Sequence, residues 1–470
     1  MARLRVKDYP IIENVTVTDI ATEGKAVGKV NDMVVLISHA IPGDVVDLKV
    51  VKIHRNYLEA IPIRFSSYSS LRIEPPCRQF AVCGGCKWQD LDYDKQLEYK
   101  QKDVFEQLVR IGRLPIRHIC PILRAPETYF YRNKLEFTFS PTRWLYPEEM
   151  GQLPEGTDLH ALGFHMPGKF DKVLDLDECL LQREPSNRIR KAVKQFAVAH
   201  GMPFFDMRTH EGFLRTMVSR IASTGEIMII LTFAYEDIAV RTSLLDYLAD
   251  TFPEITSLMY VINSKPHDSF ADLDVRLYRG RPYILEQMGD LQFKIGPKSF
   301  YQTNSRQAAA LYGVVKQAAG LTGHEVVYDL YTGIGTIANF IARDCGKVVG
   351  VEYVPEAIED ARENARFNHI GNTAFYAGDM KDVFTLQFVE QNGSPDVVIL
   401  DPPRAGVHPK VLENLMVLHP ARIVYVSCNP STQARDLAVL SGMYDIAMVQ
   451  PVDMFPQTHH VENVVQLLLK

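Results

Sequence analysis

The tetrapeptide Ser427-Cys428-Asn429-Pro430 directly follows an apolar run, Arg422-Ile423-Val424-Tyr425-Val426, that reads as a strand. A thiol delivered at a strand end can serve as a nucleophile, because thiolate adds readily to electron-poor carbon. Closer to the C-terminus, Phe455-Pro456-Gln457-Thr458-His459-His460-Val461-Glu462 offers a carboxylate and two imidazoles, any of which could take a proton. Taken singly, neither signal is specific. A cysteine after a strand is most often a packed thiol, and a lone glutamate is most often a surface carboxylate. A third group has a different chemistry: Cys77, Cys83 and Cys86 lie in C-R-Q-F-A-V-C-G-G-C-K-W-Q, where Gly84 and Gly85 let the backbone curl around one centre. Cys179 is the best fourth ligand, since Cys120 and Cys345 stand in apolar or ordinary helical contexts. Four thiolates suit zinc or an iron-sulfur cluster, and the spacing does not choose between them.

These residues need elements to carry them. From about residue 300 the pattern alternates: helix 304–320, strand 326–331, helix 336–343, strand 348–352, helix 355–368, strand 396–400. Such alternation predicts a doubly wound, mostly parallel sheet. Gly333-Ile334-Gly335 falls where the first of these strands turns into a helix, and Glu352 ends the next strand, where an acid can accept from both hydroxyls of a ribose. Asp401-Pro402-Pro403-Arg404 caps the following strand, so Asp401 should stand where a cofactor meets its substrate. The D-P-P element is similar to a motif of amino-methyltransferases, which usually place an aromatic residue next; Arg404 stands there instead, which weakens that reading. A thiol nearby fits a different target, the carbon 5 of uracil, which becomes nucleophilic only after something adds to carbon 6.

The rest of the chain reads as two further parts. Residues 8 to 65 alternate in short runs broken by Gly24, Gly28 and Pro42-Gly43-Asp44, which predicts a small β-barrel. A helix is expected from Asp94 to Ile111, with Leu97, Phe105, Leu108 and Val109 as its apolar positions. Strand signals dominate from 130 to 293, interrupted by helices near 186–200 and 236–251. The expected organisation is therefore a barrel over 1–66, a mixed central domain with the cysteine loop over 67–295, and an α/β domain over 296–470. With 470 residues and 46% hydrophobic composition, core-building capacity is ample. No apolar run reaches membrane-spanning length and the N-terminus lacks a signal-peptide stretch, so a cytoplasmic protein with no membrane partner is expected. The net charge of -6 does not advertise a nucleic-acid partner, yet residues 100 to 134 hold eight Lys/Arg against three acids. That stretch is either an RNA-facing patch or a solvated helix face.

Two resemblances sharpen this reading. "ATEGKAVGKV … AIPGDVV" resembles the TRAM domain, an RNA-binding barrel. D-L-Y-T-G-I-G, D-P-P-R-A-G, S-C-N-P and F-P-Q-T-H-H-V-E, in this order, resemble the RNA uracil-5-methyltransferase family over essentially the whole chain. The resemblance implies an S-adenosylmethionine-dependent enzyme with a Rossmann-like C-terminal domain, Cys428 as nucleophile and Glu462 as proton acceptor. It further implies that Gln302, Tyr331, Glu352, Asp379 and Asp401 contact the cofactor or the adjoining base. The C-G-G-C element is similar to the [4Fe-4S] site of the branch that acts on ribosomal RNA, which favours iron-sulfur over zinc at Cys77, Cys83, Cys86 and Cys179. Structured RNA, 23S rRNA ahead of a tRNA T-loop, is the implied partner. A catalytically silent iron-sulfur RNA-binding factor is the alternative outside enzymes.

Overall fold

The computed structural model describes residues 9–470. Its first part is a closed barrel of β1 (Ile11–Ile20), β2 (Ala26–Val30), β3 (Met33–Ile37), β4 (Val45–Ile53) and β5 (Tyr57–Ser67), in the order β1-β2-β3-β5-β4. Alternation sends Val15, Val17, Val35, Ile37, Val46 and Leu48 inward. The Pro42-Gly43-Asp44 turn does more than reverse the chain. Asp44 is fully buried, accepts from the Ile41 and Ser69 N–H groups (2.8 and 2.9 Å), and pairs with Arg72 (2.7 Å). Arg72 also bonds Asp90, so one guanidinium ties the barrel to the segment that leaves it.

That segment enters α1 (Tyr93–Arg110), capped by Asp92. The periodicity locates this helix well but misplaces part of its buried face. Phe105 is exposed, while Gln96, Lys100 and Gln107 are buried beside Leu97, Val104 and Leu108. The helix also packs on the C-terminal sheet, not on the central one, with Val104 and Leu108 in the same core as Tyr425 and Leu437.

The central sheet comprises β6 (Lys134–Ser140), β7 (Ala161–His165), β8 (Val173–Asp175), β9 (Leu214–Ile221), β10 (Ile227–Phe233), β11 (Ile255–Ile262) and β12 (Val275–Gly280), ordered β12-β11-β10-β9-β6-β7-β8. Helices α2 (Ser186–Ala199) and α3 (Ile238–Thr251) cover one face. Every residue of β10 is buried because its two faces serve two cores: Ile229 and Leu231 meet the helices, Met228 and Ile230 the C-terminal part. A hairpin, β13 (Ile284–Met288) and β14 (Leu291–Ile295), links the two.

In the C-terminal part, α4 (Ser305–Ala319) precedes β15 (Val326–Leu330), α5 (Thr336–Ile341), β16 (Lys347–Glu352), α6 (Pro355–Phe367), β17 (Thr373–Ala377), α7 (Met380–Val383), α8 (Leu386–Asn392), β18 (Val397–Leu400), α9 (Pro409–Leu418), β19 (Arg422–Ser427) and α10 (Pro430–Leu440). The predicted parallel sheet is present, with helices on both faces. Two antiparallel strands that the alternation does not predict, β20 (Tyr444–Val452) and β21 (Glu462–Leu469), complete the order β17-β16-β15-β18-β19-β21-β20. No helix among the described residues is long and apolar enough to cross a membrane.

Candidate active site

At the end of β15 the chain turns through Tyr331-Thr332-Gly333-Ile334-Gly335 into α5, and Tyr331, Gly333 and Gly335 all adopt positive φ (70°, 56° and 74°). A β-carbon on Gly335 would lie 2.9 Å from that of Ala361, so this glycine lets the turn pack on α6. Gly333 faces open space and leaves its backbone bare. The Glu352 carboxylate closes the turn by accepting from the Gly333 and Val354 N–H groups (3.1 and 3.0 Å). Asp329 lies beneath. It accepts from Thr332 Oγ1 and the Ala338 N–H (2.5 and 3.1 Å), its Oδ1 has no partner among the described residues, and burial pushes its pKa up to about 7. The sequence does not nominate Asp329; its place at the head of D-L-Y-T-G-I-G was the available signal.

The carboxyl ends of the parallel strands border a cavity of about 1650 Å³. All seven residues nominated from the sequence for methyl transfer and cofactor contact line it: Gln302, Tyr331, Glu352, Asp379, Asp401, Cys428 and Glu462. Asp379 caps α7 and pairs with Lys381 (2.8 Å), which holds its carboxyl below the usual range. Gln302 stands in the loop before α4, beside Asn304, which caps that helix and donates to the Met454 carbonyl (3.0 Å).

Cys428 lies between the end of β19 and the start of α10, and Glu462 opens β21. Burial, then Glu462, pushes the Cys428 thiol up to about 11, and Arg404 opposes that rise. Glu462 is 5% exposed, and burial followed by the Asp401 charge raises its pKa well above the carboxylate range. A carboxylate so placed is a stronger base once ionised. Asp401 is likewise pushed up to about 7, by burial and then by Asp329. Burial also drives His459 to about 3 and His460 to about 4, so both imidazoles are neutral near pH 7. His459 packs under the barrel, where a β-carbon on Gly24 would meet its own at 2.7 Å.

Half of the eight basic residues in the 100–134 stretch are committed to ion pairs within the protein. Lys100 is buried against Asp453, Lys102 pairs with Asp19, Arg110 with Glu106 and Arg124 with Asp94.

The cysteine loop packs on the core of the central sheet, with Cys83 and Cys86 at its edge and Cys179 inside it. Burial raises the Cys86 thiol to about 12, and Cys179, Cys83 and Cys77 add to that rise; Cys179, at about 11, responds to Cys83 and Cys77. The four thiols thus share one electrostatic field. Among the described residues, however, no three His, Cys, Asp or Glu side chains converge as a metal-holding group. Thiols are the donor type that zinc and iron-sulfur clusters bind as thiolates, and the raised pKa values here follow first from burial. Cys345 is spoken for elsewhere, its Sγ donating to the Ile341 carbonyl (3.6 Å).

A family model described as tRNA (Uracil-5-)-methyltransferase matches residues 283–470, and one described as TRAM domain matches residues 12–63. A Bacteroides thetaiotaomicron protein named as an RNA methyltransferase is 53% identical over 454 residues, covering 96% of this chain and 100% of the relative. The chain belongs to the RNA uracil-5-methyltransferase family. A Chlorobaculum tepidum protein, also named as an RNA methyltransferase, is 40% identical and covers 98% of this chain and 97% of its own. Among solved structures, the Pyrococcus abyssi tRNA (uracil-54, C5)-methyltransferase in complex with S-adenosyl-L-homocysteine is similar at a TM-score of 0.75 and 28% identity, covering 96% of this chain and 99% of that one. An RNA uracil-5-methyltransferase is an enzyme that uses S-adenosylmethionine, and the TRAM barrel and large cavity found here agree with that membership.

Proposed function

We propose that the enzyme methylates carbon 5 of a specific uridine in structured RNA, with Cys428 as nucleophile and Glu462 as base. The observation that carries this reading is that Cys428 and Glu462, from two different strands, open on the same cavity as Glu352 and Asp401. Cys428, once its thiol has released its proton to solvent, would bond through Sγ to carbon 6, moving the ring π electrons toward the carbon 4 carbonyl and making carbon 5 nucleophilic. S-adenosylmethionine, when bound, supplies the electrophilic methyl. Glu462, in its ionised form, would then take the carbon 5 proton; the electrons left behind re-form the ring double bond and expel the Cys428 thiolate. Gln302, Tyr331, Glu352 and Asp379 would hold the cofactor and Asp401 the junction with the base. The uridine must leave its stack to enter the cavity, while the barrel grips RNA by phosphate and shape. An RNA substrate also supports a cytoplasmic location.

The deciding experiment traps the adduct. Glu462→Gln should complete addition and methylation but leave protein joined to methylated RNA on denaturing gels, and Cys428→Ala should form no adduct. An adduct mapped to Cys120 or Cys345, or multiple turnover by Cys428→Ala, would put the chemistry on another residue.

Cys77, Cys83, Cys86 and Cys179 would hold a [4Fe-4S] cluster with a structural role, zinc being the alternative; the shared field of the four thiols supports the donor set. Anaerobically purified protein should carry about four irons per chain, and stoichiometric zinc without iron would reject the cluster. Large-subunit 23S rRNA is the favoured substrate because the barrel and C-G-G-C element occur together. A tRNA substrate is the second reading, favoured by the printed name of the Pyrococcus abyssi structure. Mapping 5-methyluridine in both RNAs from a strain lacking the gene separates the two.

A further inference from the structure

Between β20 and β21 the chain runs through a loop that delivers both Phe455 and Glu462 to the cavity. This loop has no regular structure, yet Asp453, Met454, Gln457 and Thr458 are at most 3% exposed. Buried polar groups need partners, and here one helix face supplies many of them. Lys100 of α1 pairs with Asp453 (2.6 Å) and donates to the Phe455 carbonyl (3.0 Å). Gln96 makes two bonds with Gln457: its Nε2 donates to Gln457 Oε1 (3.0 Å) and its Oε1 accepts from the Gln457 N–H (2.9 Å). The Tyr93 hydroxyl donates to Asp453 Oδ2 (2.9 Å). Residues 93, 96 and 100 lie on one side of α1 by helical spacing.

A buried ion pair flanked by buried amides is a costly way to pack a helix, since apolar side chains of similar volume do so without desolvating charge. What the polar groups add is direction. Among the described residues no side-chain hydrogen bond fixes the Glu462 carboxyl, so its aim depends on the backbone around it. The β20–β21 ladder ends at the Val452 and Glu462 pair, where the clamped loop begins and ends. On its other side Glu462 is held by the sheet, since Asn463 pairs with Ser427 of β19 and bonds Gln433 of α10, the two elements that carry Cys428; only Glu462 also hangs on the clamped loop.

We infer that Tyr93, Gln96 and Lys100 of α1 are positioning residues that aim Glu462 through the 453–461 loop, and so govern release of the methylated product more than methyl transfer. The inference rests on the reading that Glu462 removes the carbon 5 proton.

Lys100→Met alone strands the Asp453 carboxylate in the interior and risks unfolding the chain. The working variants are therefore Tyr93→Phe, Gln96→Leu and the double change Lys100→Met with Asp453→Leu. Each is made in the full chain and assayed on total RNA from a strain lacking the gene, with Glu462→Gln in parallel. Gln96→Leu should keep S-adenosylmethionine affinity and single-turnover methyl transfer within about twofold of the wild type. Its steady-state turnover should fall by about tenfold to a hundredfold, as for a displaced catalytic group, with methylated adduct accumulating; the double variant should follow, and Tyr93→Phe should show the same partition more weakly. If Glu462→Gln accumulates adduct and the α1 variants do not, the inference is overturned while the reading of Glu462 stands. Equal losses in methyl transfer, release and cofactor binding would show that α1 only holds the fold, which also overturns it. If Glu462→Gln releases product normally, the reading of Glu462 fails and this role for α1 fails with it.

Discussion

Cys428 sits at the start of α10, where the helix dipole favours a thiolate, yet burial beside Glu462 and Asp401 pushes its thiol up to about 11 while Arg404 pulls the other way. The free enzyme therefore holds a protonated thiol near neutrality. Alkylation of Cys428 by iodoacetamide, followed by peptide mass spectrometry, should quicken about tenfold per pH unit between about pH 7 and about pH 9, because only thiolate reacts. Arg404→Ala should slow it at least about threefold at fixed pH; faster alkylation would show that Arg404 does not act on the thiol. Asp329 and Asp401 move together, both raised from 3.8 to about 7. The folded state therefore keeps protons that the unfolded chain gives up near 3.8, a stabilisation fully present below about pH 4 and lost as pH rises through about 7. A sulfonium beside Asp401 favours its carboxylate. Calorimetry should thus find S-adenosylmethionine binding tighter at about pH 8 than at about pH 6, with S-adenosylhomocysteine, a neutral thioether, changing less. Equal pH dependence of the two would place Asp401 away from the sulfur. That Cys428 and Glu462 stand at one cavity was legible because both lie in short motifs beside strand ends. Lys100 was not, because its partner Asp453 lies 353 positions away and no local pattern marks it; it read as one more charge in a basic stretch.

At the level of elements, the alternation from residue 300 located β15, β16 and β18, each a continuous apolar run, as strands covered on both faces must be, but it passed over the parallel edge strand β17, which is only partly buried. The closing pair β20 and β21 escaped because antiparallel partners need no helix between them. The helix α1 was found by periodicity, but its seat on the C-terminal sheet was hidden by the polar residues it buries. The glycine turn shows how close two neighbouring positions can be in sequence and how different in burden. Gly333→Ala meets no neighbour, so it should cost about 1–2 kcal/mol for a left-handed alanine while placing a methyl group in the cavity and weakening cofactor binding. Gly335→Ala pays the same strain and also drives a methyl against Ala361 and Asn339, at 2.9 and 3.0 Å. Its loss in chemical denaturation should exceed that of Gly333→Ala by about 1–3 kcal/mol. Equal losses would mean that α6 yields to accommodate the change.

Across the whole molecule, the barrel is fastened where chemistry is carried out by other parts. Its 19–25 segment pairs Asp19 with Lys102, takes a bond from Gln107 on Thr22 Oγ1 (2.7 Å), and accepts from Trp88 Nε1 at the Gly24 carbonyl (3.3 Å). The N–H groups of Lys87 and Trp88 in turn reach the Gln457 carbonyl (2.9 and 3.1 Å), so the cysteine loop, barrel and Glu462 loop meet at one junction. The residues proposed to hold the cofactor lie elsewhere: Tyr331 follows β15, Glu352 ends β16 and Asp379 caps α7, elements whose main packing partners lie outside the barrel. Removing residues 1–66 should therefore leave S-adenosylmethionine affinity within about twofold in a calorimetric titration, because the cavity's cofactor half keeps its supports. RNA affinity should fall, and the plot of log affinity against log salt should become shallower as phosphate contacts are lost. Turnover on whatever RNA still binds should drop further than affinity alone explains, since the truncation uncovers His459 and frees one side of the loop that aims Glu462. A truncated chain that folds but no longer binds cofactor would show that the barrel supports the C-terminal sheet directly; one that keeps both RNA affinity and its salt slope would assign RNA recognition to the central domain instead.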